Sequence, residues 1–290
     1  MFKNNKFYIE KLQHIVFLGE SKILDQLENI NLKYNLSSHV VTSQDQAKSI
    51  KKNKKIIITK KIDNNFKKKI TSLVDIQNTL FISLGARWIF KKQDIFDFFK
   101  NNIVNFHSTR LPFDKGGANI SWKIINGDKI DNQLVHVVDD TIDGGSILLN
   151  KKSIIPNNCK TPHDYMEYHN KQFLYLYEEF IKRLNKEDKF LLYRQPDYIG
   201  NYNPRLNSEI SSWIDWSMSS SHLTRFIDAF DEPYTGAKTF INDKQVYLKN
   251  VHLHGGDFSS HPYKKGIVAR HDEKWLTVCT SDSGTILIEK

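Results

Sequence analysis

Three polar residues of this chain have the chemical types and the spacing of an acyl-transfer site. Asn105 and His107 are two residues apart in the run NIVNFH, so in an extended strand their side chains share a face. Asp143 lies in the turn TIDGG, which follows the apolar run LVHVV. An imidazole can accept a proton, a carboxylate can orient it, and an amide can donate a hydrogen bond to a developing oxyanion. We therefore predict that these three side chains converge as catalytic residues.

Each of the three also has a structural interpretation. An Asp before Gly often caps a turn, and Asp139 and Asp140 lie nearer to the strand than Asp143 does. Asn105 could serve only as a hydrogen-bonding residue at a strand end. Among the eleven histidines, the position of His107 two residues after an Asn, before Leu-Pro and upstream of Asp143 favours catalysis.

The same segment resembles the signature of the formyltransferase family, which reads roughly Asn-x-His-x-Ser-x-Leu-Pro, then a Gly-rich loop, then Asp-x-Gly. Three positions depart from that pattern: Thr109 stands in the Ser position, Arg110 replaces an apolar residue, and Asn119 stands where many members have proline. The departures concern the amine side of the site and leave the spacing of the three catalytic types unchanged. The matching residues are Asn105, His107, Leu111-Pro112, Gly116-Gly117 and Asp143-Gly144-Gly145.

The second half of the chain resembles the C-terminal domain of the same family. Each matching motif is short, but their order along the chain agrees with the family. They are Tyr202-Asn203-Pro204-Arg205, Ile214-Asp215-Trp216-Ser217, Phe226-Ile227-Asp228-Ala229-Phe230, Pro233-Tyr234-Thr235-Gly236-Ala237 and Gly266-Ile267-Val268.

This resemblance implies an enzyme that moves a formyl group from the cosubstrate 10-formyltetrahydrofolate to an amine. It implies that two loops hold the pterin ring, largely through backbone groups. The cofactor-binding candidates on those loops are Gly85, Ala86, Arg87, Trp88 and Ile89, and Val138, Asp139, Asp140, Thr141 and Ile142. The substrate-binding candidates are Lys115, Gly116, Gly117, Asn119 and Trp122, although core packing is the favoured interpretation of Trp122. No cluster of metal ligands stands out, and no metal is expected.

Short apolar runs alternate with helical patterns in the first part of the chain, which predicts an α/β fold with a doubly wound, mostly parallel, Rossmann-like sheet. The predicted strands are HIVFL, SHVVT, KIIIT, TLFISLG, NIVNF and LVHVV. The predicted helices are Ser21 to Asn29, Asp94 to Lys100, Ala118 to Asn126 and Thr161 to Leu184, the last with an aromatic face interpreted as core.

The domains expected from this pattern are a catalytic domain over residues 1–190, a linker over 191–207 that contains Pro and Gly, and a smaller domain over 208–290. In the last, a helix from Ser220 to Phe230 precedes several short strand runs. Short strands separated by turns suggest a small barrel, and the family resemblance implies an OB-like β-barrel.

Composition is that of an ordinary globular enzyme of 290 residues, of which 39% are hydrophobic. No apolar run reaches the ~18 residues of a membrane span, and the Lys-rich start lacks the apolar stretch of a signal peptide. Cys159 and Cys279 are far apart and without metal-like spacing, so both are expected to be reduced in a cytoplasmic protein.

The net charge of +9 is unevenly distributed. Residues 201–290 carry 10 Lys or Arg and 11 Asp or Glu, so the basic excess lies in the first 200 residues, largely in KSIKKNKKIIITKK and NNFKKK. We interpret these runs as a solvated lysine surface, with long-range attraction of an anionic substrate as the alternative.

Several acceptors for the formyl group are compatible with the sequence. The favoured one is the amine of a nucleotide-linked amino sugar destined for a surface polysaccharide such as O-antigen. The alternative is the methionyl group on initiator tRNA, but a tRNA-binding protein should carry basic residues on its second domain. A hydrolase of formyltetrahydrofolate and a folate-binding protein without activity are less favoured, and a homodimer is expected.

Overall fold

A computed structural model describes residues 5–49, 56–86, 88–254 and 259–289 of the chain. The chain forms two compact units. The first comprises Met1–Lys115, Asp131–Ser153 and His169–Tyr202, and the second comprises Gly116–Ile130, Ile154–Tyr168 and Asn203–Lys290. The domain limits expected from the sequence pattern stay a prediction.

The strands of the described residues are, in chain order, β1 (Lys6–Phe7), β2 (His14–Gly19), β3 (Ser37–Thr42), β4 (Ile56–Ile58), β5 (Thr79–Leu84), β6 (Ile103–His107), β7 (Asp114–Gly116), β8 (Ile130–Val137), β9 (Ile147–Ile154), β10 (Phe190–Leu191), β11 (Asn201–Asn203), β12 (Ala237–Ile241), β13 (Lys244–Leu248), β14 (Val251–Leu253), β15 (Val268–His271), β16 (Trp275–Cys279) and β17 (Thr285–Glu289).

The α-helices are α1 (Leu24–Lys33), α2 (Asn64–Thr71), α3 (Asn119–Asn126), α4 (Pro162–Asn185), α5 (Ser208–Ser211) and α6 (Ser220–Ala229). Short 3₁₀ helices span Gln46–Ser49, Ile76–Asn78, Asp197–Ile199 and Pro262–Lys264, and a π-helix spans Asp94–Phe98.

The first unit is built on a central sheet with the strand order β4-β3-β2-β5-β6-β8-β9. The pairs β3/β4, β2/β3, β2/β5 and β5/β6 are parallel, whereas β6 and β8 are antiparallel. A sheet covered on both faces needs apolar residues at every strand position, which explains the continuous runs HIVFL and TLFISL. The predicted mixed α/β fold with a mostly parallel central sheet is confirmed.

Helices cover both faces of this sheet. Ile15 and Phe17 of β2 belong to the core that contains residues of α1 and of the 169–185 part of α4, whereas Val16 and Leu18 belong to the core that contains residues of α2 and of the π-helix. The aromatic face predicted for the long helix packs in the core, because Tyr177 and Phe180 are fully buried.

The second unit contains a four-stranded antiparallel sheet in the order β14-β17-β16-β15 and a separate antiparallel hairpin, β12–β13. Its core includes Leu223 and Ile227 of α6, with Ser219 capping the N-terminus of that helix. Within the described residues this sheet is open and does not close into a barrel. The structure therefore supports an antiparallel sheet domain, which is the coarser part of the barrel prediction.

Several elements differ from those that the sequence pattern predicted. The first helix is Leu24–Lys33 and not Ser21 to Asn29, because Leu24, Leu27 and Ile30 supply its buried face. The predicted helix Asp94 to Lys100 is a π-helix ending at Phe98. Helix α2, which the sequence pattern did not predict, lies in a lysine-rich run, and the carboxylate of its N-cap residue Asp63 accepts a hydrogen bond from the Phe66 N–H.

Strand β9 was not predicted, and Lys55 of the predicted strand KIIIT lies outside the described residues. In the part of the chain that the structure describes, no helix combines the length and apolar character needed to cross a membrane.

Candidate active site

The register of β6 and β8 brings three polar side chains to one face of the central sheet. Asn105 pairs with His136, and His107 pairs with Leu134. Because side chains alternate along a strand, Asn105, His107 and His136 lie on the face opposite to Val104 and Phe106, which belong to the core beneath α4. The ring centroids of the two histidines are 6.3 Å apart.

Asp143 comes from the loop between β8 and β9 and reaches the same place. Its Oδ1 lies 3.4 Å from Nδ1 of His107, and both side chains are mostly buried. The separation is longer than that of a strong hydrogen bond. Because Nδ1 faces the carboxylate, proton transfer with a substrate amine would use the other ring nitrogen of His107, Nε2. The structure therefore brings together the three residues predicted as catalytic, and neither Asp139 nor Asp140 takes this position among the described contacts.

Two glycines after Asp143 allow the loop to pass close to Val137 and Thr141. A Cβ on Gly145 would lie 1.8 Å from the Val137 carbonyl oxygen, and one on Gly144 would lie 2.0 Å from Thr141 Oγ1. Asp143 itself has φ of 53°, in the left-handed region. Only glycine fits at these two positions without displacing backbone or side chain.

The side chain of Gln195 stabilises the same loop, a role that the sequence did not indicate. Its Nε2 donates hydrogen bonds to the carbonyl oxygens of Asp143 at 2.9 Å and Gly145 at 2.6 Å. Gln195 is buried, although the sequence pattern placed it in a linker. A lone Gln in a segment with Pro and Gly carries no signal for this role, because its partners lie about fifty residues earlier.

His136 is a second residue that sequence reasoning missed. Its Nδ1 lies 2.9 Å from the Val137 carbonyl oxygen, and its Nε2 lies 3.0 Å from Nδ2 of Asn105. Burial, and secondarily the neighbouring His107, lower the pKa of His136 from its ordinary value of 6.5 to about 4. The ring is therefore neutral at physiological pH. The available signal was a histidine inside the otherwise apolar run LVHVV.

This lowered pKa predicts how the stability of the protein depends on pH. In the unfolded chain His136 binds a proton near its ordinary pKa of 6.5, whereas in the folded protein it does so only near about 4. Its contribution to stability is thus complete above pH 6.5 and is lost as pH falls toward 4. We expect the loss to be on the order of 3 kcal/mol, at ~1.4 kcal/mol per pKa unit.

Urea unfolding at several pH values, in wild type and in His136→Gln, measures this contribution. The difference between the two proteins in unfolding free energy should shift by a few kcal/mol between pH 7 and pH 4. Parallel pH profiles would show that the His136 ring is not held neutral by the fold. His252→Gln, a change at an exposed strand position of the second unit, is the matched control.

His107, His136 and Asp143 also form a cluster whose possible metal-ligand atoms lie within 4.8 Å of one another, in the part of the chain that the structure describes. Both nitrogens of neutral His136 are engaged, one as a donor to Val137 and one as an acceptor from Asn105. His107 and Asp143 alone are fewer protein ligands than the three or four typical of zinc sites. The arrangement suits hydrogen bonding and proton transfer better than metal binding.

The loops predicted to bind a cofactor follow β5 and β8. Gly85 has φ of +59°, and its carbonyl oxygen accepts a hydrogen bond from Gln46 Nε2, a buried residue that the sequence did not single out. In the other loop, the Asp139 carboxylate accepts hydrogen bonds from both the N–H and the hydroxyl of Thr141. Three of the candidate residues are partly buried against the core of the sheet: Ala86, Trp88 and Val138. Three others are exposed: Ile89, Asp140 and Ile142. The candidate Arg87 lies outside the described residues.

The predicted substrate-binding residues occupy a strand and a helix start. Lys115 lies on β7 in the first unit. In the second unit, the Gly117 N–H donates a hydrogen bond to the Asn203 carbonyl oxygen. Asn119 is the first residue of α3, and its side-chain amide lies 3.4 Å from the Gly116 carbonyl oxygen. The Trp122 indole N–H donates a hydrogen bond to the Pro204 carbonyl oxygen at 2.9 Å. Their binding roles stay predictions.

Comparison with protein families finds matches for two segments of the chain. Residues 14–172 match the model of formyl transferase, and residues 208–290 match that of the formyl transferase C-terminal domain. The chain belongs to the formyl transferase family. The segment that holds Asn105, His107 and Asp143 lies inside the first match.

Curated relatives of this formyl transferase family member include two methionyl-tRNA formyltransferases. That of Caldanaerobacter subterraneus subsp. tengcongensis is 28% identical over 63% of this chain and 57% of its own length. That of Thermodesulfovibrio yellowstonii is 25% identical over 85% of this chain and 77% of its own length.

A solved structure extends the likeness in fold to both halves of the chain. The N-formyltransferase from Helicobacter canadensis, in complex with folinic acid and dTDP-3-aminofucose, superposes with a TM-score of 0.72. It covers 96% of this chain and 99% of its own, at 18% identity. At that identity the comparison establishes the fold of this formyl transferase family member.

Proposed function

We propose that the protein transfers a formyl group from 10-formyltetrahydrofolate to the amine of a nucleotide-linked amino sugar. The observation that carries formyl transfer is the convergence of Asn105, His107 and Asp143 on one face of the central sheet, in the segment that matches the family model. An amide donor, an imidazole base and a carboxylate are the groups that amine acylation requires.

Each residue has one task in this proposal. His107 accepts the amine proton at Nε2, while Asp143 holds Nδ1 and stabilises the imidazolium that forms. Asn105 donates an N–H to the carbonyl oxygen as negative charge develops there. In the net reaction the amine nitrogen bonds to the formyl carbon, the bond from that carbon to N10 of the folate breaks, and N10 gains the proton that the amine loses.

The loops after β5 and β8 have features that suit a folate ring. Each carries a large aliphatic side chain in solvent, with Ile89 91% exposed and Ile142 64% exposed. A flat ring could cover such surfaces while its polar edge binds backbone groups. Hydrogen bonds from Gln46 to Gly85 and within the Asp139 turn hold these loops in shape. When bound there, the folate supplies the formyl carbon and its carbonyl oxygen.

Charge supports a small acceptor over a nucleic acid. Residues 201–290 carry 10 basic and 11 acidic residues, and the other segments of the second unit add three of each. A unit close to neutral offers few cations to tRNA phosphates. A sugar nucleotide has only two phosphates and needs few. The solved formyltransferase described above, whose fold matches along nearly its full length, was crystallised with such a ligand.

Methionyl-tRNA formylation is the second candidate, because the curated relatives that cover most of this chain carry that name. At 25% identity such a relative supports the chemistry more than the acceptor. Folate binding without catalysis is less favoured, because the set of catalytic groups is intact.

Other features of the proposal go beyond the site. We propose a cytoplasmic location, because Cys159 and Cys279 are both buried and reduced, which suits a reducing compartment. A homodimer, an OB-like arrangement of the second domain and a role in surface polysaccharide assembly are further parts of the proposal. Sedimentation equilibrium tests the homodimer.

A panel of acceptors tests the proposed function. The protein and 10-formyltetrahydrofolate are incubated with thymidine-, uridine- and guanosine-linked amino sugars, and separately with methionyl initiator tRNA. Mass spectrometry is expected to show the mass of one formyl group added to an amino sugar. Formylation of the tRNA alone would replace the sugar proposal with the second candidate, and formylation of nothing in the panel would contradict both.

Removing the anchor of the Asp143 loop gives a further prediction. Gln195→Leu keeps the volume but removes the donor to two carbonyl oxygens, so Asp143 is held less firmly. We expect turnover to fall roughly tenfold, equivalent to about 1.4 kcal/mol and typical of one lost hydrogen bond. Arg194→Leu, at the exposed neighbouring position, is the control and should keep wild-type turnover. Equal turnover of the two variants would contradict the anchoring role.

A further inference from the structure

We propose that His136 is a positioning residue, which holds one N–H of the Asn105 carboxamide and so directs the other N–H toward the reacting carbonyl oxygen. This inference rests on the proposed function, and it adds a residue outside the set of Asn105, His107 and Asp143. Its basis is the cross-strand contact between Nδ2 of Asn105 and Nε2 of His136, at 3.0 Å.

The neighbouring backbone sets the tautomer of His136. A carbonyl oxygen can only accept, so the 2.9 Å contact from Nδ1 to the Val137 carbonyl requires a proton on Nδ1. Since the buried ring is neutral, Nε2 then carries a lone pair and must accept. The atom of Asn105 that faces it must be the amide nitrogen, because the amide oxygen would oppose that lone pair.

This assignment removes the ambiguity that an asparagine side chain otherwise has. Rotation of the carboxamide by 180° would exchange its oxygen and nitrogen, and would present an acceptor where an oxyanion needs a donor. The antiparallel register makes Asn105 and His136 direct partners, so the contact is built into the sheet. The flipped orientation therefore places two acceptors against each other, and His136 disfavours it.

Kinetics of three variants test the proposal. His136→Met fills the space without the Nε2 acceptor, and we expect kcat to fall roughly tenfold with KM for both substrates nearly unchanged, as for a weakened interaction made in the transition state. His136→Gln restores an acceptor and should recover kcat to within about threefold of wild type. Val135→Ala removes buried methyl groups from the opposite face of β8 and should keep kcat, measured per folded molecule.

A double-mutant cycle separates positioning from general damage. In the Asn105→Ala background there is no amide to orient, so adding His136→Met should change kcat by less than about twofold. Additive losses in the cycle, or an equal loss in Val135→Ala, would overturn the proposal. So would a His136→Gln variant as slow as His136→Met.

Nitrogen NMR gives a readout that does not depend on catalysis. In the protein without substrate, the His136 resonances should show a protonated Nδ1 and a lone pair on Nε2, and His136→Met should shift the Asn105 side-chain amide signals. A protonated Nε2 would overturn the positioning role even if the enzyme formylates an amino sugar. If no acceptor is formylated, the proposed function fails, while these spectra still decide the orientation of Asn105.

Discussion

His107→Ala and Asp143→Ala are each expected to lower turnover by at least about 100-fold, the lower end for loss of an acid-base group or of its partner. The reason is geometric: the Asp143 carboxylate faces Nδ1 of His107, which leaves Nε2 to accept the amine proton. Asn105→Ala should cost on the order of 100-fold for a lost oxyanion donor. Steady-state kinetics at saturating folate and acceptor measure each effect.

Two comparisons make this result decisive. Asp97→Ala changes an exposed carboxylate on the π-helix of the same unit and should leave kcat within a few-fold of wild type, an effect well below that of losing a catalytic group. Far-UV circular dichroism and folate binding should be unchanged in every variant. If His107→Ala or Asp143→Ala keeps more than roughly a tenth of wild-type kcat while binding folate normally, the catalytic assignment is wrong.

Salt should distinguish the two acceptors by several orders of magnitude. A protein that contacts several phosphates of tRNA loses about 10³- to 10⁵-fold in affinity between 50 and 200 mM salt, because bound counterions are released. A sugar nucleotide with two phosphates should lose at most about tenfold. Given the near-neutral second unit, we expect only the weak dependence in the Michaelis constant of the true acceptor.

The measurement is the Michaelis constant of the sugar that the panel identifies, over that range of salt, with the Michaelis constant for the folate as internal reference. A steep loss with initiator tRNA, together with no sugar product, would favour the second candidate. A steep loss with a sugar would instead implicate the lysine-rich first unit in substrate attraction.

The convergence of Asn105, His107 and Asp143 could be predicted from the sequence because the evidence for it is local. Asn105 and His107 alternate on one strand, and Asp143 stands before two glycines in a turn, a pattern that short-range geometry explains. The buried strands of the parallel sheet were visible for a similar reason, since burial on both faces produces continuous apolar runs.

The residues that support the site were not predictable, because long-range pairing decides them. His136 acquires its role only when β8 pairs with β6 in one register, and Gln195 only when its segment folds back onto the Asp143 loop. A hydrophobic pattern records which residues are buried but not which partners they meet. Helix α2 was missed because its few apolar residues are diluted by lysines that face solvent.

One oxygen atom, the carbonyl oxygen of Val137, affects both the Asn105 side chain and the Asp143 loop. It fixes the proton on His136, and through that ring the amide of Asn105, while it also occupies the space where Gly145 would carry a Cβ. We therefore expect that a displacement of Val137 would disturb the Asn105 amide and the Asp143 loop together. A methyl group added at Gly145 would meet this oxygen, so it would disturb both the Asn105 amide and the Asp143 loop.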